Sequence, residues 1–324
     1  MRSSHVGSFP LGYSLENVGR VLKDLAAVGI DVPPYPQMRG FIDIYVNPLL
    51  NEGLAYLIGN FIYADPTQLM KQRVKHTSIP EAEYAIQFVK EAGLGFKGLR
   101  APVTGAFTLS SRVYVVKGSV DLTSTALARK ELLQGFFVGY VGGLVKYMSS
   151  LGYDVVFMDE PSLTLVIGAR KNLFNYSDDE VIEALNNVAK ESNNAEVGIH
   201  VCGRIHKRLF EVLTRVPKVR YLSFEFHDNP GNLEVIDKHL LESYDKVISP
   251  GVVSSKKPVV EELSEVLNIL KKVVEKAGGR VDLIAGDCGF AGLRGSLGDV
   301  EREYRLSLAK LEKVVKAVKT LSQT

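Results

Sequence analysis

The sequence predicts an α/β fold, a single (β/α)₈ barrel, on three observations. Short apolar runs alternate with longer segments of helical period. Eight such pairs follow one another, and alternation of this kind builds parallel sheets. The chain has 324 residues, 46% of them hydrophobic, which suits one large barrel better than a doubly wound sheet. No Gly/Ser-rich or Pro-rich linker interrupts it, so residues 1–324 are expected to form one catalytic domain.

Taken in order, the first strand is read at 5–7 and the first helix at 15–28, where apolar residues recur at i, i+3 and i+4. A second strand is read at 41–46 from its alternating Phe, Ile, Ile and Val, followed by a helix at 81–92. The third strand is 98–103 and its helix the long segment 124–151. Strand 154–158 precedes a helix at 178–192, whose start Ser177-Asp178-Asp179-Glu180 resembles a capping box. Strands 196–201, 221–226, 246–249 and 282–285 are followed by helices 205–212, 233–243, 259–277 and 299–321. Gly93, Gly152 and Gly278 sit where helix-ending glycines belong.

Composition excludes several function classes. The net charge of +2 comes from 39 basic and 37 acidic residues, well mixed along the chain, so there is no nucleic-acid footprint. The pairs Lys256-Lys257 and Lys271-Lys272 lie in or beside glutamate-rich helical pattern and read as solvated helix faces. No uncharged apolar run reaches the roughly 18 residues of a membrane span. The first residues lack the apolar stretch of a secretory signal, so a cytoplasmic protein with reduced thiols is expected.

Only two cysteines occur, Cys202 in His200-Val201-Cys202 and Cys288 in Gly286-Asp287-Cys288-Gly289. By themselves these residues allow a long-range disulfide, two inert buried thiols or a metal site. The barrel sharpens the choice, because catalytic groups cluster at the C-terminal ends of barrel strands. Ser8 follows the first strand, Thr104 the third, and Asp159-Glu160 the fourth. The fifth ends in His200 and Cys202, the sixth in Glu225, the eighth in Asp287 and Cys288. His200 and Cys202, two apart on a strand, point the same way. Two cysteines cannot build a structural zinc ribbon, so a metal here would sit in a site made by the fold itself.

The series His200-x-Cys202, Ser223-Phe224-Glu225, Pro250-Gly251-Val252 and Asp287-Cys288-Gly289 resembles the C-terminal catalytic domain of cobalamin-independent methionine synthase. Gly7-Ser8-Phe9-Pro10, Pro102-Val103-Thr104 and Asp159-Glu160-Pro161-Ser162-Leu163 are similar to further motifs of that domain, in the same order. The resemblance spans nearly the whole chain and looks like the short form found in archaea, without the second domain that helps hold folate. It implies a barrel of the uroporphyrinogen decarboxylase and methionine synthase type. It also implies methyl transfer to the thiol of L-homocysteine to give L-methionine, with Zn²⁺ held by His200, Cys202, Glu225 and Cys288. On the same basis Asp159 meets the substrate ammonium, Ser8 and the backbone at Gly7 its carboxylate, and Glu160 a second contact. Glu225 would loosen as the substrate sulfur enters. Thr104 stands at the mouth with the substrate residues or, like Asp287, supports the ligands from behind.

Two departures bear on the methyl donor. The family's histidine after Pro-Gly-Val is replaced by Val253-Ser254-Ser255-Lys256-Lys257, and its His-Gly-Glu acid has no clear counterpart near Gln37 and Asp43. A pterin nitrogen leaves better when protonated, whereas a corrinoid cobalt needs no proton. The expected donor is therefore a methylcorrinoid protein or a methylated pterin, presented by a partner protein. His206 and His227 are the histidines that could replace the missing acid, although both read first as solvated or core residues. The competing readings are a zinc-dependent corrinoid:thiol methyltransferase acting on another thiol such as coenzyme M, whose motif His200-Val201-Cys202-Gly203 also resembles, a decarboxylase of the related barrel family, and a non-catalytic zinc-carrying partner of a larger methyltransferase.

Overall fold

The computed structural model describes residues 1–74 and 77–323. Its centre is a five-stranded parallel sheet ordered β3 (Arg100–Thr104), β5 (Val155–Asp159), β6 (Glu196–Val201), β7 (Val219–Glu225), β8 (Val247–Gly251). Every residue of β3 and β5 is buried, as parallel strands covered on both faces require. The register pairs Thr104 with Asp159, Asp159 with His200, and Glu225 with Gly251, so the strands end together.

Beyond these five strands the ladder thins to isolated parallel bridges. Gly251 pairs with Ala285, Ser3 with Ile284, Ser4 with Val32, Ser8 with Gln37, and Pro34 with Arg100. The segments 281–285, 3–8 and 32–37 thus lead from β8 back to β3. The strand expected at 41–46 is instead part of a helix, Asp43–Asn51. Its apolar residues alternate, but Ile44, Tyr45, Pro48 and Leu49 are buried at the i, i+1, i+4, i+5 spacing of a helix face. The position beside β3 is taken by 32–37, which reads poorly as strand because Pro33, Pro34 and Pro36 offer no N–H. The residues between them suffice: Val32, Tyr35 and Gln37 donate to the carbonyls of Ser3, Arg100 and Gly7.

A small sheet that the sequence reading does not contain, β1 (Ala55–Ile58), β2 (Phe61–Ala64) and β4 (Val113–Tyr114), lies apart from the main one. The long helix expected at 124–151 begins with two 3₁₀ turns and a π segment, Leu133–Phe137, before the regular Val138–Leu151. That helix ends on Gly152 at φ 105°, a conformation that glycine adopts without strain. Ser177 and Glu180 form the expected capping box. One cluster of buried side chains spreads between sheet and helices, and a smaller one gathers Val32, Val155, Phe157, Tyr221 and Leu283. Among the described residues no helix is long and apolar enough to cross a membrane.

Candidate metal centre

Side-chain alternation on β6 sets the centre. Gly198, His200 and, just past the strand, Cys202 share one face. The His200 ring is buried, and Ser223 on β7 lies 3.0 Å from its Nδ1, which turns Nε2 to within 3.1 Å of Cys202 Sγ. Cys288, just past the bridged segment 281–285, brings its Sγ to 3.2 Å from that of Cys202, with both thiols free. Nε2 and the two sulfurs lie within 4.8 Å of one another, a group able to hold a metal ion. The two thiols differ in acidity. Hydrogen bonding from Cys202 and His200 holds Cys288 well below the usual thiol range despite burial, while contact with Cys288 and burial push Cys202 well above it. His200 is raised: burial opposes its charge, but Cys288 and Asp159 outweigh that.

Glu225 is buried at the end of β7 but stands outside that three-atom cluster, its carboxylate accepting a hydrogen bond from Asn229. Two residues tie the segments of the cluster together, Asn232, which carries no obvious sequence signal, and Asp287, read in the sequence at the eighth strand end. Fully buried Asn232 donates to the carbonyls of Gly203 (3.0 Å) and Glu225 (2.8 Å) and accepts from the Ile205 amide (2.9 Å). Asp287 accepts from the amides of Phe226, His227 and Asp228, which fastens the Cys288 segment to the loop after Glu225. It thus holds the Cys288 segment from behind through backbone amides, and burial raises it to about 7. Asp287, His227 and Asp228 also approach one another closely, but the backbone amides already engage both Asp287 oxygens.

The centre opens into a cavity of about 190 Å³ lined by Ser8, Gln37, Arg39, Phe41, Asp159, His200, Cys202 and Cys288, among others. Asp159 lies at its wall with Oδ1 lacking a hydrogen-bond partner among the described residues, a buried acceptor open to a donor. Burial lifts its carboxyl to about 7, against the pull of His200 and Arg100. Ser8 Oγ accepts from the Ala291 amide, and Gly7 packs so near Gln37 that an added Cβ would lie 2.9 Å from its Oε1. Gln37 spends its amide hydrogens on the hydroxyls of Tyr35 and Tyr45, 3.0 Å each. Its carbonyl oxygen is thereby fixed as an acceptor.

Other candidates lie elsewhere. Thr104 donates to the Phe41 carbonyl (2.6 Å), holding the rim of the cavity without lining it. Glu160 is buried and accepts from the amides of Phe107 and Thr108 and the Thr108 hydroxyl, so it faces the short helix Ala106–Ser110 that follows β3. His206 caps the helix Lys207–Thr214, and His227 faces Asp228 and Glu265; neither lines the cavity.

Parallel strands with thiol, imidazole and carboxyl groups at their C-terminal ends make an α/β protein with a sulfur-rich candidate metal site. Residues 140–311, more than half of the chain, match the model of the cobalamin-independent synthase catalytic domain. The chain belongs to this family, and it is a methyltransferase. It is 26% identical over 279 residues to a methionine synthase of Methanothermobacter thermautotrophicus, covering 83% of this chain and 80% of that protein. It is 23% identical over 285 residues to one of Pyrococcus horikoshii, covering 83% and 74%. Its fold is similar to that of a putative vitamin-B12-independent methionine synthase from Listeria monocytogenes, with TM-score 0.70, 14% identity and 99% and 98% of the two chains covered. A B12-independent methionine synthase from Shewanella in complex with selenomethionine gives 0.65 at 16% identity, with 99% of each chain covered.

Proposed function

We propose that this chain is a single-domain, cytoplasmic, zinc-dependent methyltransferase that transfers a methyl group to L-homocysteine to form L-methionine. In the same reading the bridged segments 3–8, 32–37 and 281–285 complete the ring of an eight-stranded (β/α)₈ barrel. The observation that carries the proposal is the convergence of His200, Cys202 and Cys288 at the wall of a cavity that Asp159 faces.

The donor set suits zinc. One imidazole and two thiolates are common zinc ligands, and a tetrahedral shell with Zn–S bonds of about 2.3 Å has S···S edges near ~3.7 Å. The sulfurs lie 3.2 Å apart, so accommodating the ion takes a separation of only about half an ångström. Glu225 is the candidate fourth ligand, from a carboxylate that now leans on Asn229 and exchanges that contact for the metal. Bound zinc supplies the Lewis acidity that keeps a coordinated substrate sulfur as thiolate at neutral pH.

The protein's own groups hold the rest of the substrate. Asp159 receives the ammonium group on its unpartnered Oδ1, and that cation stabilises the ionised carboxyl against burial. Ser8, which also lines the cavity, and the neighbouring backbone at Gly7 receive the carboxylate. His200 is kept in register by Ser223, so its Nε2 stays turned to the sulfurs. Glu225 would be the ligand free to give up its place to the substrate sulfur. No histidine follows Pro250-Gly251-Val252, and neither His206 nor His227 reaches the cavity, which favours a donor whose leaving group needs no proton. A methylcorrinoid protein meets that condition; a methylated pterin is the other donor to be tried.

The test is incubation of zinc-loaded protein with methylcobalamin and either homocysteine or coenzyme M. Methionine formation is expected, and methylation of coenzyme M alone would overturn the homocysteine assignment. Zinc content of Cys288→Ser is expected to fall sharply after dialysis, because the eighth strand end supplies a ligand.

A further inference from the structure

Arg100 opens β3 and is completely buried, yet none of its three guanidinium nitrogens has a hydrogen-bond partner among the described residues. What it touches is an aromatic face: its guanidinium carbon lies 3.6 Å from the centroid of the Phe157 ring. Phe157 in turn fills the space left by Gly198, where an added Cβ would come within 2.4 Å of the ring. Gly198, Phe157 and Arg100 thus stack as one layer inside the sheet. His200 is two residues beyond Gly198 on β6, and Asp159 two beyond Phe157 on β5. Two residues of strand rise about 6.6 Å, so this layer lies directly beneath the centre.

An unpaired buried cation is expensive to keep, and it persists only where a negative field compensates it. Burial lowers the Arg100 guanidinium to about 10, while Asp159 and Cys288 act in the opposite direction. No salt bridge to Arg100 exists among the described residues, so compensation comes from the layer above.

We propose that Arg100 is a positioning residue for the metal centre, whose buried charge offsets the negative excess of the thiolate shell without touching ligand or substrate. Two thiolates and one carboxylate around a divalent ion leave one negative charge; when a substrate thiolate takes the place of Glu225 the shell keeps that charge, and the released carboxylate stays beside it as a further one. The cation one layer below stabilises both states. This inference rests on the metal assignment proposed above.

The test compares wild type, Arg100→Met, Arg100→Lys and Cys288→Ser as full chains, titrated with Co²⁺ against a competing chelator and followed by the thiolate-to-cobalt absorption band. Arg100→Met keeps the bulk over Phe157 without the charge and is expected to weaken Co²⁺ binding by about tenfold or more, the scale of outer contacts to metal ligands. Arg100→Lys is expected to recover most of that loss. The metal-free Arg100→Met protein is expected to unfold at the same temperature as wild type or higher, since it sheds a buried charge. Wild-type Co²⁺ affinity in Arg100→Met, or a loss matched by a lower unfolding temperature and not restored by lysine, would overturn the inference alone. Absence of the cobalt band in wild type, or its full retention in Cys288→Ser, would overturn the metal assignment and this inference with it.

Discussion

Cys202 and Cys288 are 86 positions apart and end with their sulfurs 3.2 Å from each other. Their partnership was readable in advance because cysteine is rare here and each sits at the end of an apolar run. His200 and Asp159 were readable for the same reason, as charged types where strands end. Ser223 and Asn232 were not, because hydroxyls and amides occur everywhere and gain meaning only from what they meet. Gln37 is an intermediate case: its position was noted, but its fixed carbonyl depends on two tyrosines that no spacing rule connects to it. Asp159 carries the clearest residue-scale prediction. Asp159→Asn removes the charge that meets the ammonium group, a charge-assisted bond of about 1.5–3 kcal/mol, so KM for homocysteine should rise roughly 10- to 100-fold. Steady-state kinetics at saturating donor would check this, with kcat much less affected. An unchanged KM would remove Asp159 from the substrate site.

Among elements, the second strand position shows where periodicity misleads. Alternation at 41–46 was a true pattern that burial of both Tyr45 and Leu49 overrode, while prolines hid the segment that pairs with β3. The loops after the strands owe their order to polar bridges. Asn232 joins the turn after Cys202 to the end of β7, and Asn232→Ala leaves the Ile205 amide and two carbonyls unsatisfied. A loss of about 2–4 kcal/mol is expected in denaturant unfolding, together with weaker metal retention. Glu160 does the same between the loops after β3 and β5. Burial raises its carboxyl from 4.5 to about 7, so the native state holds the proton more tightly than the unfolded chain. Its contribution is therefore complete below about pH 4.5 and declines as pH rises toward 7, by roughly 3 kcal/mol in all. Unfolding curves across that range should lose this slope in Glu160→Gln, at a general cost from the mismatched amide.

For the whole molecule, the open question of shape is whether the ring between β8 and β3 behaves as continuous sheet. Hydrogen exchange followed by mass spectrometry answers it: amides of Ser4, Val32, Tyr35, Gln37 and Ile284, which donate to carbonyls in or beside the bridged segments or in β3, should exchange as slowly as those of β5 and β6. Exchange at loop rates would mean an open sheet. The sequence by itself determined the alternation of strand and helix, the polar strand ends and the residue types of the candidate metal centre, because periodicity and rare reactive side chains are local properties of the chain. The tertiary structure alone decided that a proline-rich segment lies beside β3, that Glu225 leans on Asn229 and not on the sulfurs, and that the Arg100 guanidinium is buried without a hydrogen-bond partner among the described residues. Each of these depends on which distant groups compete for the same buried space and the same hydrogen bonds, and that competition exists only once the chain is folded.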